Sequence, residues 1–150
     1  VATLHRWRID PDAGTLAETR LDDRAGEFPR FDERHCMRPY RYGWIVSGNV
    51  AEPRRGDDAT DGIVGFDLER GTSQAWMPPR GDRCGEPVFV PRTADAAEGD
   101  GWLLATIWRR AENRSDLAVW NALDLAAGPV GVASLSSRVP AGFHGNWVGR

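Results

Sequence analysis

One pattern constrains this chain more than any other: an apolar residue, Asp, three further residues, then Gly. It occurs as Ile9-Asp10-Pro11-Asp12-Ala13-Gly14, as Phe66-Asp67-Leu68-Glu69-Arg70-Gly71 and as Leu123-Asp124-Leu125-Ala126-Ala127-Gly128. The aspartates stand 57 residues apart in both intervals, and the glycines keep the same spacing. Each copy sits between strand-like runs, so each reads as a hairpin in which Asp bonds the turn backbone and Gly takes the positive φ that closes it. Two such matches arise easily by chance, but three in phase do not. A period of this length with several strands per unit points to stacked β units such as propeller blades, with loops longer than the common propeller repeats carry.

The rest of the chain agrees with an all-β fold. Short runs rich in Val, Ile, Leu, Trp and Phe are cut by Gly, Pro and Asp, and they predict strands over 4–10, 16–21, 41–47, 63–68, 73–77, 87–91, 102–108, 117–123 and 130–135. No window of a dozen residues keeps an apolar stripe at helical spacing without meeting Gly or Pro. Residues 51–61 and 93–100 read as solvated loops. Val1 runs directly into the first strand-like stretch, so the chain reads as the C-terminal part of something longer.

Placing the polar residues on the repeat brings three of them into phase. Glu27 follows Asp10 by 17 residues, Glu86 follows Asp67 by 19, and His144 follows Asp124 by 20. At that phase a propeller chain has left its outer hairpin and returns to begin the innermost strand of the next blade, whose side chains face the central channel. Glu27, Glu86 and His144 are therefore expected to converge near one axis, although each alone would read as a solvated carboxylate or a strand-end histidine. Gly142 and Gly145 around Phe143-His144 leave backbone room, which suits an imidazole presented to a metal. The glutamates could orient ligand histidines through the second ring nitrogen or ligate directly, as in a two-histidine, one-carboxylate iron site. His5 and His35 are out of phase and read as structural or exposed. One histidine cannot hold a metal tightly, so further ligands are expected outside this chain.

Other chemistries find no support. The net charge of −3, with arginines scattered rather than striped, gives no nucleic-acid footprint. No apolar run has the length that crosses a bilayer. Cys36 and Cys84 match no metal or redox spacing and read as reduced, partly buried thiols. There is no nucleophile elbow and no phosphate loop.

Five stretches together resemble the C-terminal part of the carotenoid cleavage oxygenases, a family that includes apocarotenoid and lignostilbene dioxygenases and a retinal-pigment-epithelium isomerase. They are Glu27-Phe28-Pro29-Arg30, Arg38-Pro39-Tyr40-Arg41-Tyr42, Gly85-Glu86-Pro87-Val88-Phe89-Val90-Pro91-Arg92, Asp100-Gly101-Trp102-Leu103-Leu104 and Arg138-Val139-Pro140-Ala141-Gly142-Phe143-His144-Gly145. The resemblance implies that residues 1–150 are the last blades of a seven-bladed β-propeller holding one non-haem Fe(II) by four histidines. His144 matches the last of those ligands, and Glu27 and Glu86 match carboxylates that orient ligand imidazoles. Phe143 and Trp147 become candidates for packing beside the substrate tunnel, core packing being the plainer role for both. The implied reaction is cleavage of a conjugated C=C bond of a carotenoid, apocarotenoid or stilbene with O2 to give two carbonyl products, the stretch by itself being inactive. Location in the cytoplasm, or at the periphery of a membrane that holds an apolar substrate, would follow. A silent propeller that binds a ligand or protein, or an isomerase on the same scaffold, are the competing readings. The chain departs from the family at Cys36-Met37, where a glycine is frequent, and at Asn121, where Asp is frequent.

Overall fold

The computed structural model describes residues 2–48 and 61–149. Most of the predicted loop 51–61 lies outside the described residues, and Asp61 opens a strand. Among the described residues, ten strands form one continuous sheet: β1 (Thr3–Asp10), β2 (Thr15–Phe31), β3 (Tyr42–Gly48), β4 (Asp61–Asp67), β5 (Thr72–Trp76), β6 (Arg83–Cys84), β7 (Val88–Pro91), β8 (Gly101–Arg109), β9 (Arg114–Asn121) and β10 (Pro129–Ser134). Among the described residues helix is confined to two short 3-10 turns, Glu33–His35 and Leu125–Ala127, and no helix there is long and apolar enough to cross a membrane.

Two four-stranded antiparallel meanders account for most of the sheet. The first is β2-β3-β4-β5 and the second is β7-β8-β9-β10. β6 bridges them, parallel to β4 and antiparallel to β8. β1 pairs with the first half of β2, so this single 17-residue strand closes one hairpin and then opens the first meander.

The 57-residue repeat falls where a propeller requires it, at the turns β1–β2, β4–β5 and β9–β10. Gly14, Gly71 and Gly128 all have positive φ, at 63°, 65° and 83°. Asp10 Oδ1 accepts from the amides of Asp12 and Ala13, and Asp67 Oδ1 from that of Arg70. The third turn differs: Asp124 makes no such bond, and Asn121 Oδ1 accepts from the Leu123 amide instead. The replacement of a frequent Asp by Asn121 therefore preserves a turn-forming acceptor.

The main core lies between the meanders. Trp44 and Ile63 face Phe89, Leu103, Ile107, Ala118, Trp120 and Leu125. The Trp44 indole stacks on Phe89 at 5.2 Å with a 6° tilt and donates its Nε1–H to the Ala122 carbonyl at 3.1 Å. Gly65 gives that indole room: a Cβ there would lie 3.0 Å from Trp44 Cδ1. Ile45, Val64 and Phe66 form a smaller cluster with Leu4, Leu68 and Met77. Since neighbouring residues on a strand point to opposite faces, β3 and β4 are buried on both sides. β8 instead alternates between buried and half-buried positions, covered mainly on one side. Exposed apolar side chains gather on the first hairpin (Trp7, Ile9, Leu16) and on β10 (Val130, Val132).

Two sequence expectations need correction in detail. The strand predicted over 16–21 runs from Thr15 to Phe31 in the structure, through Gly26 and Pro29, because pairing with β3 imposes the extended form there. The thiols are both free, but only Cys84 is buried, and burial pushes its pKa far up, whereas Cys36 is exposed.

Candidate metal centre

His144 stands on an irregular segment that follows β10, and Glu86 stands just before β7, the first strand of the second meander. The two meet. Glu86 Oε1 lies 3.2 Å from His144 Nδ1, and Glu86 Oε2 accepts from the Gly145 amide at 2.9 Å. The glutamate side chain is 4% exposed and the imidazole 74% exposed. Pro87, fully buried, favours an extended conformation at Glu86 and so helps aim it. Burial opposes ionisation of Glu86, but the Gly145 amide, the His144 ring and the Arg30 guanidinium outweigh it and hold its pKa below the usual carboxylate value.

This geometry selects a tautomer. An ionised carboxylate only accepts hydrogen bonds, so the His144 nitrogen facing it carries the proton. In the neutral ring the lone pair is then on Nε2, the nitrogen not engaged by Glu86. That is how a metal-ligating histidine is ordinarily prepared, with its other N–H on a carboxylate. The donor set therefore fits one metal ligand and its orienting group. No cluster of three or more His, Cys, Asp or Glu able to hold a metal occurs among the described residues.

Glu27 lies on β2, opposite Val46, and is exposed. Its carboxylate makes no hydrogen bond among the described residues. Its charge is felt at Asp61, whose pKa is raised by burial, lowered by Arg83 and raised again by Glu27. The sequence phase thus brings Glu86 and His144 into contact but leaves Glu27 unbonded to either. The neighbour of Glu27 does reach the site: the Phe28 ring meets the His144 ring edge to face, centroids 5.7 Å apart at 88°. Phe28 has a φ of 55° immediately before Pro29, at a bulge where the register with β3 shifts between Glu27 and Arg30. Positive φ in a bulky residue is a strained state found where surroundings enforce it, and bulges commonly re-aim side chains beside functional sites.

Phe143 and Trp147 are 79% and 53% exposed, so neither packs in the core. Both line an open groove of about 370 Å³ together with Val88, Leu104, Leu117 and His144. His5 and His35 are engaged elsewhere, His5 with Glu18 and Thr3 and His35 with the Pro39 carbonyl, as their phase implied. Arg30 lies against Glu86, and Glu33 and Asn146 lie against Arg30; in the sequence all three stand only as members of longer stretches, and the proximity of Arg30 to Glu27 is the one local hint of this cluster.

The repeated four-stranded meanders are blades of a β-propeller, the architecture of the solved structures that this chain resembles. The chain belongs to the retinal pigment epithelial membrane protein family, whose model matches residues 1–149. It is 40% identical over 157 residues to lignostilbene-alpha,beta-dioxygenase isozyme III of Sphingomonas paucimobilis, covering 97% of this chain and 31% of that protein. The crystal structure of Pseudomonas brassicacearum lignostilbene dioxygenase superposes with a TM-score of 0.87 at 32% identity, over 97% of this chain and 32% of that one. A cobalt-substituted Synechocystis apocarotenoid oxygenase superposes with a TM-score of 0.84 at 33% identity, over 97% and 30% of the two chains. The chain thus spans about a third of the length of the curated relatives it matches.

Proposed function

We propose that this chain is part of a non-haem Fe(II) dioxygenase that cleaves a conjugated C=C bond of a stilbene, apocarotenoid or carotenoid with O2 to give two carbonyl products. The observation that carries this reading is the Glu86–His144 pair, which leaves Nε2 of a neutral imidazole free to ligate. His144 would hold the iron together with histidines from outside this chain, and Glu86 would fix its ring. Glu27, exposed and without a hydrogen bond here, would do the same for one of those other histidines. Bound iron supplies an electron-rich centre at which O2 is activated.

The remaining tasks belong to side chains of this chain. Phe28 limits rotation of the imidazole by lying against its ring. Phe143, Trp147, Leu104 and Val88 give the adjoining groove an apolar wall, and a volume of this order is what a small hydrophobic ligand occupies. The similarity to a lignostilbene dioxygenase and to an apocarotenoid oxygenase supports an extended, conjugated substrate over a polar one. The test is His144→Ala in the full-length protein that carries this chain. Iron loading and double-bond cleavage should both be lost, and a variant that keeps its iron and its turnover refutes the mechanism.

A further inference from the structure

The segment that carries His144 has no secondary structure and is mostly exposed, yet a metal ligand has to be held in a fixed direction. Its attachments answer how. Upstream, the Leu135 and Val139 amides bond the carbonyl and hydroxyl of Ser115, and the Arg138 guanidinium lies 5.0 Å from the centre of the Trp108 ring. Beside the histidine, Glu86, Gly145 and Asn146 all meet one side chain from a different blade, Arg30 of β2.

Arg30 reaches across 115 residues of sequence to donate to the Gly145 carbonyl at 3.1 Å, and to Asn146 Oδ1 at 3.2 Å. The same guanidinium lies 3.3 Å from Glu86 Oε1 and donates to Glu33 Oε1 at 2.6 Å. Glu33 in turn accepts from Asn146 Nδ2 at 3.4 Å through its other oxygen. Arg30 is only 14% exposed. A planar fork with five N–H donors can bind several acceptors at fixed angles, which an ammonium on a flexible stem cannot do. The Glu27–Arg30 bulge belongs to the same device. One short stretch of β2 presents Phe28 to the imidazole ring and Arg30 to the backbone beyond it.

We propose that Arg30 is a positioning residue for the metal centre: it docks the His144 segment onto the first strand of the neighbouring blade and fixes the direction in which Nε2 points. This rests on His144 being a ligand. Arg30 touches neither the free nitrogen nor the groove, so its action is through Glu86, Gly145 and Asn146.

The experiment is Co(II) titration of the metal-free full-length protein, read by the visible spectrum of the bound ion, with thermal melting of the metal-free form alongside. Arg30→Met should weaken Co(II) binding roughly 10-fold or more, the usual size of a loss behind a ligand, and should alter the bound-ion spectrum. Arg30→Lys restores the charge but not the fork, so it should recover less than half of the lost affinity on a logarithmic scale. Asn146→Ala removes the side chain that bonds Arg30 and Glu33, on an exposed segment and without touching the core; it should weaken binding by roughly 2- to 5-fold, less than a buried hydrogen bond to a charged group is worth, and it serves where Arg30→Met fails to fold. Unchanged affinity and spectrum in the variants, with binding abolished in His144→Ala, overturns the role of Arg30 alone. Normal binding in His144→Ala overturns the reading of the centre instead.

Discussion

Replacing Glu86 by Gln keeps the shape of the side chain and removes its charge, and the structure says why it cannot be silent. The carboxylate faces three donors: the Gly145 amide on Oε2, and the His144 ring and Arg30 guanidinium on Oε1. Glutamine offers one oxygen and one NH2. With the NH2 toward Gly145, two donors confront each other in a nearly buried position, at about 1–3 kcal/mol. With the NH2 toward His144, the ring must present a lone pair at Nδ1, so the proton moves to Nε2 and blocks the nitrogen proposed to bind the metal. Either arrangement costs metal binding. The expected loss is about 10- to 100-fold in affinity, equivalent to about 1.4–2.7 kcal/mol. Co(II) titration of the metal-free full-length protein measures it directly, with melting of the same samples showing that the fold persists. Parental affinity in Glu86→Gln would refute the tautomer argument, since no orientation of the amide reproduces the carboxylate's contacts.

Two further outcomes follow from the backbone and from surface charge. Met37 holds a φ of 63° with its side chain 98% exposed, so it pays the left-handed penalty and gains no packing. Met37→Gly should remove about 1–2 kcal/mol of strain against about 0.5–1 kcal/mol of added chain entropy, raising the urea midpoint at an unchanged slope; a lower midpoint contradicts this. Asp67 is held down to about 2, first by its hydrogen bond from Arg41, against the opposing pull of desolvation. Its folded pKa lies below the usual aspartate value, so its contribution is complete above about pH 4 and fades as pH falls through about 2. Asp67→Asn should therefore be less stable than the parent at neutral pH, and the gap in urea midpoints should close over that acid window. A gap that stays constant down to pH 2 removes the ion pair from the account.

How much of this was legible beforehand depends on the range over which each feature is determined. The three hairpin turns were readable because a glycine at positive φ and an Asp acceptor are local requirements, met within six residues. Even there, the third turn solved the same problem with Asn121 instead of Asp124, since any short acceptor near the turn suffices. The end of β2 was not readable: Asp22, Asp23, Gly26 and Pro29 argue against a strand, and only the pairing with β3 makes one. β6 is two residues long and exists because β4 and β8 flank it, so no pattern of its own could announce it. The same division runs through the site. Glu86 and His144 share a repeat phase, and phase is a property of the sequence, which is why their contact could be anticipated. Phase places a residue at the right point of the repeat, as it does for Glu86 just before β7 and His144 on the irregular segment after β10, but it does not choose the partner, and Glu27, at a similar phase, bonds neither. Arg30 shows the limit most clearly. Its motif was visible, but the role proposed for it rests on meeting Gly145 and Asn146 from another blade, beside a register shift in β2 that the local sequence does not announce. The residues that orient a ligand are thus harder to read than the ligand itself, because their chemistry is ordinary and only their tertiary placement is unusual.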